Sequence, residues 1–168
     1  MERVVLVDDQ DREIGEMEKL EAHEKGLLHR AISVCLFDEK GRWLIQRRAR
    51  GKYHSPGQYA NSCCSHPRKG EKPLDAALRR TFEELGVRAQ LRFCTTFVYR
   101  EEVGQDLVEH EYDYLFMGRS LNAPSPDPDE VESCHWWTTE QIEEALEKTP
   151  EIFASWFRHV FEICKQFL

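Results

Sequence analysis

Four short stretches hold most of the side chains whose types and spacing suit chemistry. In Asn61-Ser62-Cys63-Cys64-Ser65-His66-Pro67, Cys64 stands two residues before His66. In an extended chain the two share a face and Cys63 takes the other. A thiol beside a cationic or metal-bound imidazole has a depressed pKa and suits proton transfer. A small buried apolar residue is the competing reading of Cys64. Glu109 and Glu111, two apart on an expected strand, share a face and repel unless paired or metal-bound. His23 and His29 bracket Glu24–Leu28. With His66, these imidazoles and carboxylates make a nitrogen/oxygen donor set suited to Mn2+, Zn2+ or Fe2+. Spacing leaves ordinary surface His and Glu open as the alternative, because the five residues come from three separate segments.

Glu83 and Glu84 fall in the last turn of an expected helix over Pro73–Leu85. That end carries partial negative charge, so acids there are unfavourable by about 0.3–1 kcal/mol each. Arg80 and Glu84 form an i,i+4 pair in the less favourable order, base first. A divalent cation with oxygen ligands would explain the two glutamates; so would a solvated face neutralised by Arg79 and Arg80. Between Lys40 and Arg80 eleven Lys and Arg face only Glu71 and Asp75, a local balance of +9 in a chain of net charge −8. That pattern disfavours nucleic acid as a partner and favours a small anionic ligand focused at one place, or else a solvated basic face.

The elements that must position these groups follow from length and patterning. A chain of 168 residues, 40% hydrophobic and 32% charged, fits one domain over residues 1–168 with a core that needs no disulfide. No apolar run approaches the ~18 residues of a membrane span. The first residues lack a secretory h-region, so a cytoplasmic protein with six reduced cysteines is expected. Strands are expected over Val4–Val7, Ala31–Phe37, Trp43–Gln46, Leu91–Tyr99, Leu107–Met117 and His135–Thr138, with an extended stretch at Tyr59–Ser65 and a loop over Arg50–Tyr59. Helices are expected over Pro73–Leu85, with a stripe of Leu74, Leu78, Thr81 and Leu85 and Gly86 closing it, and over Thr139–Leu146 and Phe153–Leu168. The order implies an α/β (α+β) fold, a mixed sheet flanked by helices on both faces.

The spacing Ser65-x5-Glu71-x7-Arg79-Arg80-x-x-Glu83-Glu84-x-Gly86 resembles the Nudix signature, with Ser65 in place of a Gly and Arg80 in place of a Glu. An Arg there is better suited to gripping a diphosphate than to binding Mg2+. With Glu18–His23, Gln46-Arg47-Arg48-Ala49, the Cys64-x-His66-Pro67 element and Glu109-His110-Glu111, the chain from about Glu18 to Trp156 resembles type 1 isopentenyl-diphosphate isomerases, which have a Nudix fold. The resemblance implies a metal site of His23, His29, His66, Glu109 and Glu111 holding Mn2+ or Zn2+. It also implies Mg2+ bound with the substrate diphosphate at Glu84. Lys19, Arg48, Lys52 and Arg80 would grip the diphosphate. Cys64 and Glu111 would be catalytic, with Tyr99 bonded to Glu111, and Tyr99 and Trp156 would be active-site aromatics.

The implied reaction shifts a double bond through a cation-like intermediate, with Glu111 as proton donor on one face, Cys64 as thiolate on the other and the Trp156 ring facing the cation. The ligand would be isopentenyl diphosphate, with no nucleic acid or membrane partner, and the protein a monomer or homodimer. A Nudix hydrolase of a nucleoside diphosphate derivative, or a non-enzymatic metal- or diphosphate-binding module, are the rival readings.

Overall fold

The computed structural model describes residues 2–168. Its strands are β1 (Arg3–Val7), β2 (Glu13–Glu18), β3 (His29–Phe37), β4 (Trp43–Arg48), β5 (Tyr59–Ala60), β6 (Cys63–Ser65), β7 (Ala89–Gly104), β8 (Leu107–Ser120) and β9 (Val131–Trp137). Its helices are α1 (Lys19–Lys25), α2 (Pro73–Leu85), α3 (Thr139–Lys148) and α4 (Phe157–Lys165). β3 is the hub: it pairs antiparallel with β1, β4 and β6 and parallel with β8. The expected mixed sheet with helices on both faces is what forms. Alternation along β3 sends Ile32, Val34 and Leu36 into a core under α2, while Cys35 joins Leu115, Met117 and Phe161 in a second core under α3 and α4.

Three sequence expectations change. β2 and α1 escaped the sequence reading, and α1 carries Lys19 and His23 one helical turn apart. Half of the stripe expected on α2 is buried: Thr81 and Leu85 point inward with Ala76, Ala77 and Glu84, whereas Leu74 and Leu78 are exposed. Ala76 and Ala77 fill the inward face of the first two turns, which leaves Leu74 and Leu78 outside. The last helix begins at Phe157 rather than Phe153, because the Ala154 amide donates to the Tyr59 carbonyl at 2.9 Å and holds the chain against β5. That pause leaves Trp156 buried at the helix start.

Gly86 ends α2 as expected, with φ +64° and its amide bonded to Phe82 at 2.8 Å. A Cβ there would also lie 2.6 Å from the Ser125 carbonyl oxygen, so this position needs glycine for two reasons.

Candidate active site

His23, His29, His66 and Glu111 each bring one donor atom within 4.8 Å of the others. Register explains the convergence. The parallel β3–β8 ladder sets His29 opposite Glu111, and the β3–β6 ladder ends at Ile32 opposite Ser65, so His66 follows at the same end of the sheet. α1 supplies His23 from above, only 1% exposed. All three Nε2 atoms are buried without a hydrogen-bond partner among the described residues. Two of the opposite ring nitrogens are hydrogen-bonded, His23 Nδ1 at 2.7 Å from the Tyr53 hydroxyl and His29 Nδ1 at 2.8 Å from the Leu27 carbonyl, while His66 Nδ1 faces the Glu2 carboxylate at 3.6 Å. Imidazoles fixed at one nitrogen and open at the other are how a metal site orients its ligands, and this donor set fits a divalent cation.

Electrostatics agree with that reading. Burial lowers the His23 pKa to about 2, helped by the nearby His66 and His29 charges. Burial also works against protonation of His66, but the nearby Glu111 and Glu2 carboxylates outweigh it and raise that ring to about 9. Glu111, which burial alone would raise, is held well below the carboxylate range by His29 and His66. Like-charged neighbours and a lone carboxylate thus share protons where a cation would replace them.

Glu109 lies outside this group of four. The Tyr99 hydroxyl donates to Glu109 Oε2 at 2.8 Å, and His54 Nε2 lies 3.2 Å from Glu109 Oε1. The expected Tyr99–Glu111 bond is therefore not made. Tyr99 stands opposite Glu111 in the β7–β8 backbone register, and its long ring reaches diagonally to the residue two earlier. His54 and Tyr53 went unnoticed in the sequence; their one signal is a His and a Tyr in a loop between basic residues. That loop is formed as expected.

Cys63 and Cys64 divide as alternation requires. Cys63 is fully buried in the core under α2, and Cys64 faces the other way, into the cavity that Glu111, His66 and Trp156 also line. Its Sγ donates to Asn61 Oδ1 at 3.1 Å and lies 3.6 Å from Ser33 Oγ. The expected depressed thiol is not found: burial, with the nearby Asp113, pushes it well above the ordinary range.

The mouth of the same cavity carries Lys19, Arg48, Lys52 and Arg80. Three of these cations rest against internal carboxylates. Lys19 Nζ is 2.8 Å from Glu2, Lys52 Nζ 2.5 Å from Glu130, and Arg80 Nη2 2.8 Å from Glu84 and 3.4 Å from Glu130. Arg48 instead donates to the carbonyls of Ser55 and His54, each at 3.2 Å, and stacks 5.0 Å from the Trp156 ring centre. Glu84 is also held by Gln46 Nε2 at 3.1 Å. The rest of the basic island disperses: Arg47 and Arg50 meet Glu132, and Arg79 meets Glu71 and Glu83. Glu2 and Glu130 were missed because a carboxylate remote in sequence gives no sign that it will neutralise a site.

A NUDIX domain matches residues 27–159. The chain is 47% identical over 163 residues to the isopentenyl-diphosphate Delta-isomerase of Streptomyces griseus, covering 95% of this chain and 82% of the relative. It is 45% identical over 158 residues to the protein of that name from Pectobacterium atrosepticum, covering 94% and 88%. In fold it is similar to DR0079 from Deinococcus radiodurans, with a TM-score of 0.81 and 20% identity over 97% of this chain and 99% of that one. The sequence similarity covers most of both chains, so this chain belongs to the NUDIX family and, within it, to the isopentenyl-diphosphate Delta-isomerases.

Proposed function

We propose that the protein interconverts isopentenyl and dimethylallyl diphosphate. The observation that carries this is one cavity lined by Cys64, Glu111, Lys19, Arg48, Lys52 and Arg80, with Glu111 belonging to a four-donor group that could hold a metal ion. The reaction adds a proton to the terminal alkene carbon and removes one from the carbon nearer the diphosphate. Of Cys64 and Glu111, one gives a proton while the other takes one, and the two exchange parts between the forward and reverse directions. The intermediate has tertiary-cation character, and the face of Trp156 together with exclusion of water from the buried cavity favours it. Tyr99 and His54 hold the second carboxylate, Glu109, against the same cavity.

His23, His29, His66 and Glu111 would hold Mn2+ or Zn2+, with Glu109 available as a fifth ligand; the cation supplies Lewis acidity that strengthens Glu111 as an acid. Glu84 would bind Mg2+ that arrives with the substrate, and Lys19, Arg48, Lys52 and Arg80 would grip the diphosphate oxygens. Substrate phosphates then take the places of Glu2 and Glu130 on Lys19 and Lys52. No helix is long and apolar enough to cross a membrane. A cytoplasmic location, and a monomer or homodimer, belong to this proposal; all six cysteines are unpaired, as a reducing compartment keeps them.

Incubating the protein with isopentenyl diphosphate and Mg2+ should yield an acid-labile allylic product, with Cys64→Ala and Glu111→Gln inactive. Release of phosphate, or binding without turnover, would overturn the proposal.

A further inference from the structure

Among the described residues four carboxylates are buried: Glu84, Glu109, Glu111 and Asp113. Arg80 and Gln46 hold Glu84, His54 and Tyr99 hold Glu109, and the histidine cluster holds Glu111. Asp113, 1% exposed, makes its hydrogen bond to a hydroxyl instead: Ser33 Oγ donates to Oδ2 at 2.6 Å, and Oδ1 has no partner among the described residues. Burying a carboxyl on so little support is unfavourable, so packing gives no reason to find one here.

Its position supplies the reason. β3 pairs with β8 on one side, Ala31 opposite Asp113, and with β6 on the other, Ser33 opposite Cys64. Ser33 therefore stands between the carboxyl and the thiol, its Oγ 3.6 Å from Cys64 Sγ. From the opposite side Asn61 Oδ1 takes the thiol at 3.1 Å. The amide of Asn61 is pinned in that orientation, because its Nδ2 donates to the carbonyls of Val34 at 3.2 Å and Cys63 at 3.0 Å. Asn61 Oδ1 thus takes the thiol proton while Ser33 Oγ, whose own proton goes to Asp113, rests against the sulfur; each is anchored at its far end, and Ser33 and Asn61 are themselves buried.

We propose that Asp113, acting through Ser33, and Asn61 form a frame that fixes the direction of Cys64 Sγ toward the substrate carbon. Asp113 and Ser33 are positioning residues in this arrangement. The inference rests on the reading of Cys64 as a group that touches substrate. Its effect belongs in turnover, since Ser33 and Asn61 touch the sulfur and none of the frame bonds to Lys19, Arg48, Lys52 or Arg80.

The test measures kcat and KM for isopentenyl diphosphate in Cys64→Ala, Ser33→Ala, Asp113→Asn and Asp113→Leu, with thermal melts and metal content as controls. Misplacing a reacting atom by about 1 Å loses on the order of 10²-fold in rate. Ser33→Ala and Asp113→Leu should therefore lose turnover on that scale with KM and metal content held. Asp113→Asn keeps an oxygen that accepts from Ser33, and it should stay within about tenfold of the wild type, the worth of one hydrogen bond. If Asp113→Leu does not fold, Ser33→Ala, which removes a single oxygen atom, decides the matter. An inactive Cys64→Ala beside a wild-type kcat in Ser33→Ala, or an Asp113→Asn as slow as Asp113→Leu, overturns the frame and leaves the role of Cys64 standing. An active Cys64→Ala overturns both.

Discussion

Arg80→Ala tests how the acidic end of α2 is held together. Arg80 Nη2 donates to Glu84 at 2.8 Å, with the two side chains 16% and 7% exposed, and Arg80 Nε donates to Ser65 Oγ at 2.9 Å. Removing one member of a buried pair strands the other charge, which is unfavourable by 3–5 kcal/mol. The cavity beside Glu84 admits some water and Gln46 still donates to it, so the lower end, about 3 kcal/mol, is expected. The bond to the more exposed Glu83 adds less than about 1 kcal/mol. For a chain of this size 1 kcal/mol corresponds to about 2–4 °C, so Tm should fall by about 6–12 °C. Adding Glu84→Gln removes the stranded charge and should recover most of the loss, with a coupling of about 2 kcal/mol in a double-mutant cycle from urea unfolding. A loss below about 1 kcal/mol for Arg80→Ala, or no recovery in the double variant, would refute the view that these two groups neutralise each other inside the protein.

Three further outcomes follow from the same geometry. Arg79 and the Arg68 amide hold the Glu71 carboxyl below its ordinary value of 4.5; the unfolded chain therefore binds the proton more readily, and stability from this group is present above pH 4.5 and lost as pH falls through the depressed folded value. The Tm difference between wild type and Glu71→Gln should be full near neutrality and shrink on acidification, and a difference that widens in acid would contradict it. Chelation should lower Tm and abolish turnover, and Mn2+ or Zn2+ should restore both, because a cation bound by the folded state alone stabilises it; His29→Ala should lower the metal content, and an unchanged content would move the site elsewhere. Cys63→Ala should lose about 1 kcal/mol from a small core cavity and keep its kcat, because Cys63 lies in the core under α2; a large fall in kcat would place the wrong cysteine at the cavity.

Local patterns determined a good deal by themselves. Alternation separated Cys63 from Cys64, the Pro73 and Gly86 punctuation bounded α2, and the Cys-x-His-Pro and Glu-x-Glu elements carried the family resemblance. These are properties of neighbouring residues, set by the two-residue and 3.6-residue periods of the backbone. The buried face of α2 was only half among them: Thr81 and Leu85 are inside, but Ala76 and Ala77 take the inward places that Leu74 and Leu78 were expected to fill.

Only the tertiary structure decided how separate segments meet. The β3–β8 register put His29 beside Glu111, and a diagonal reach across β7–β8 gave Tyr99 to Glu109 instead. Glu2, His54 and Glu130 became parts of the cavity lining through chain returns of tens of residues. Strand register and the landing points of loops depend on packing summed over the whole chain, so a polar side chain acquires its partner, and with it its chemistry, only when the sheet has closed.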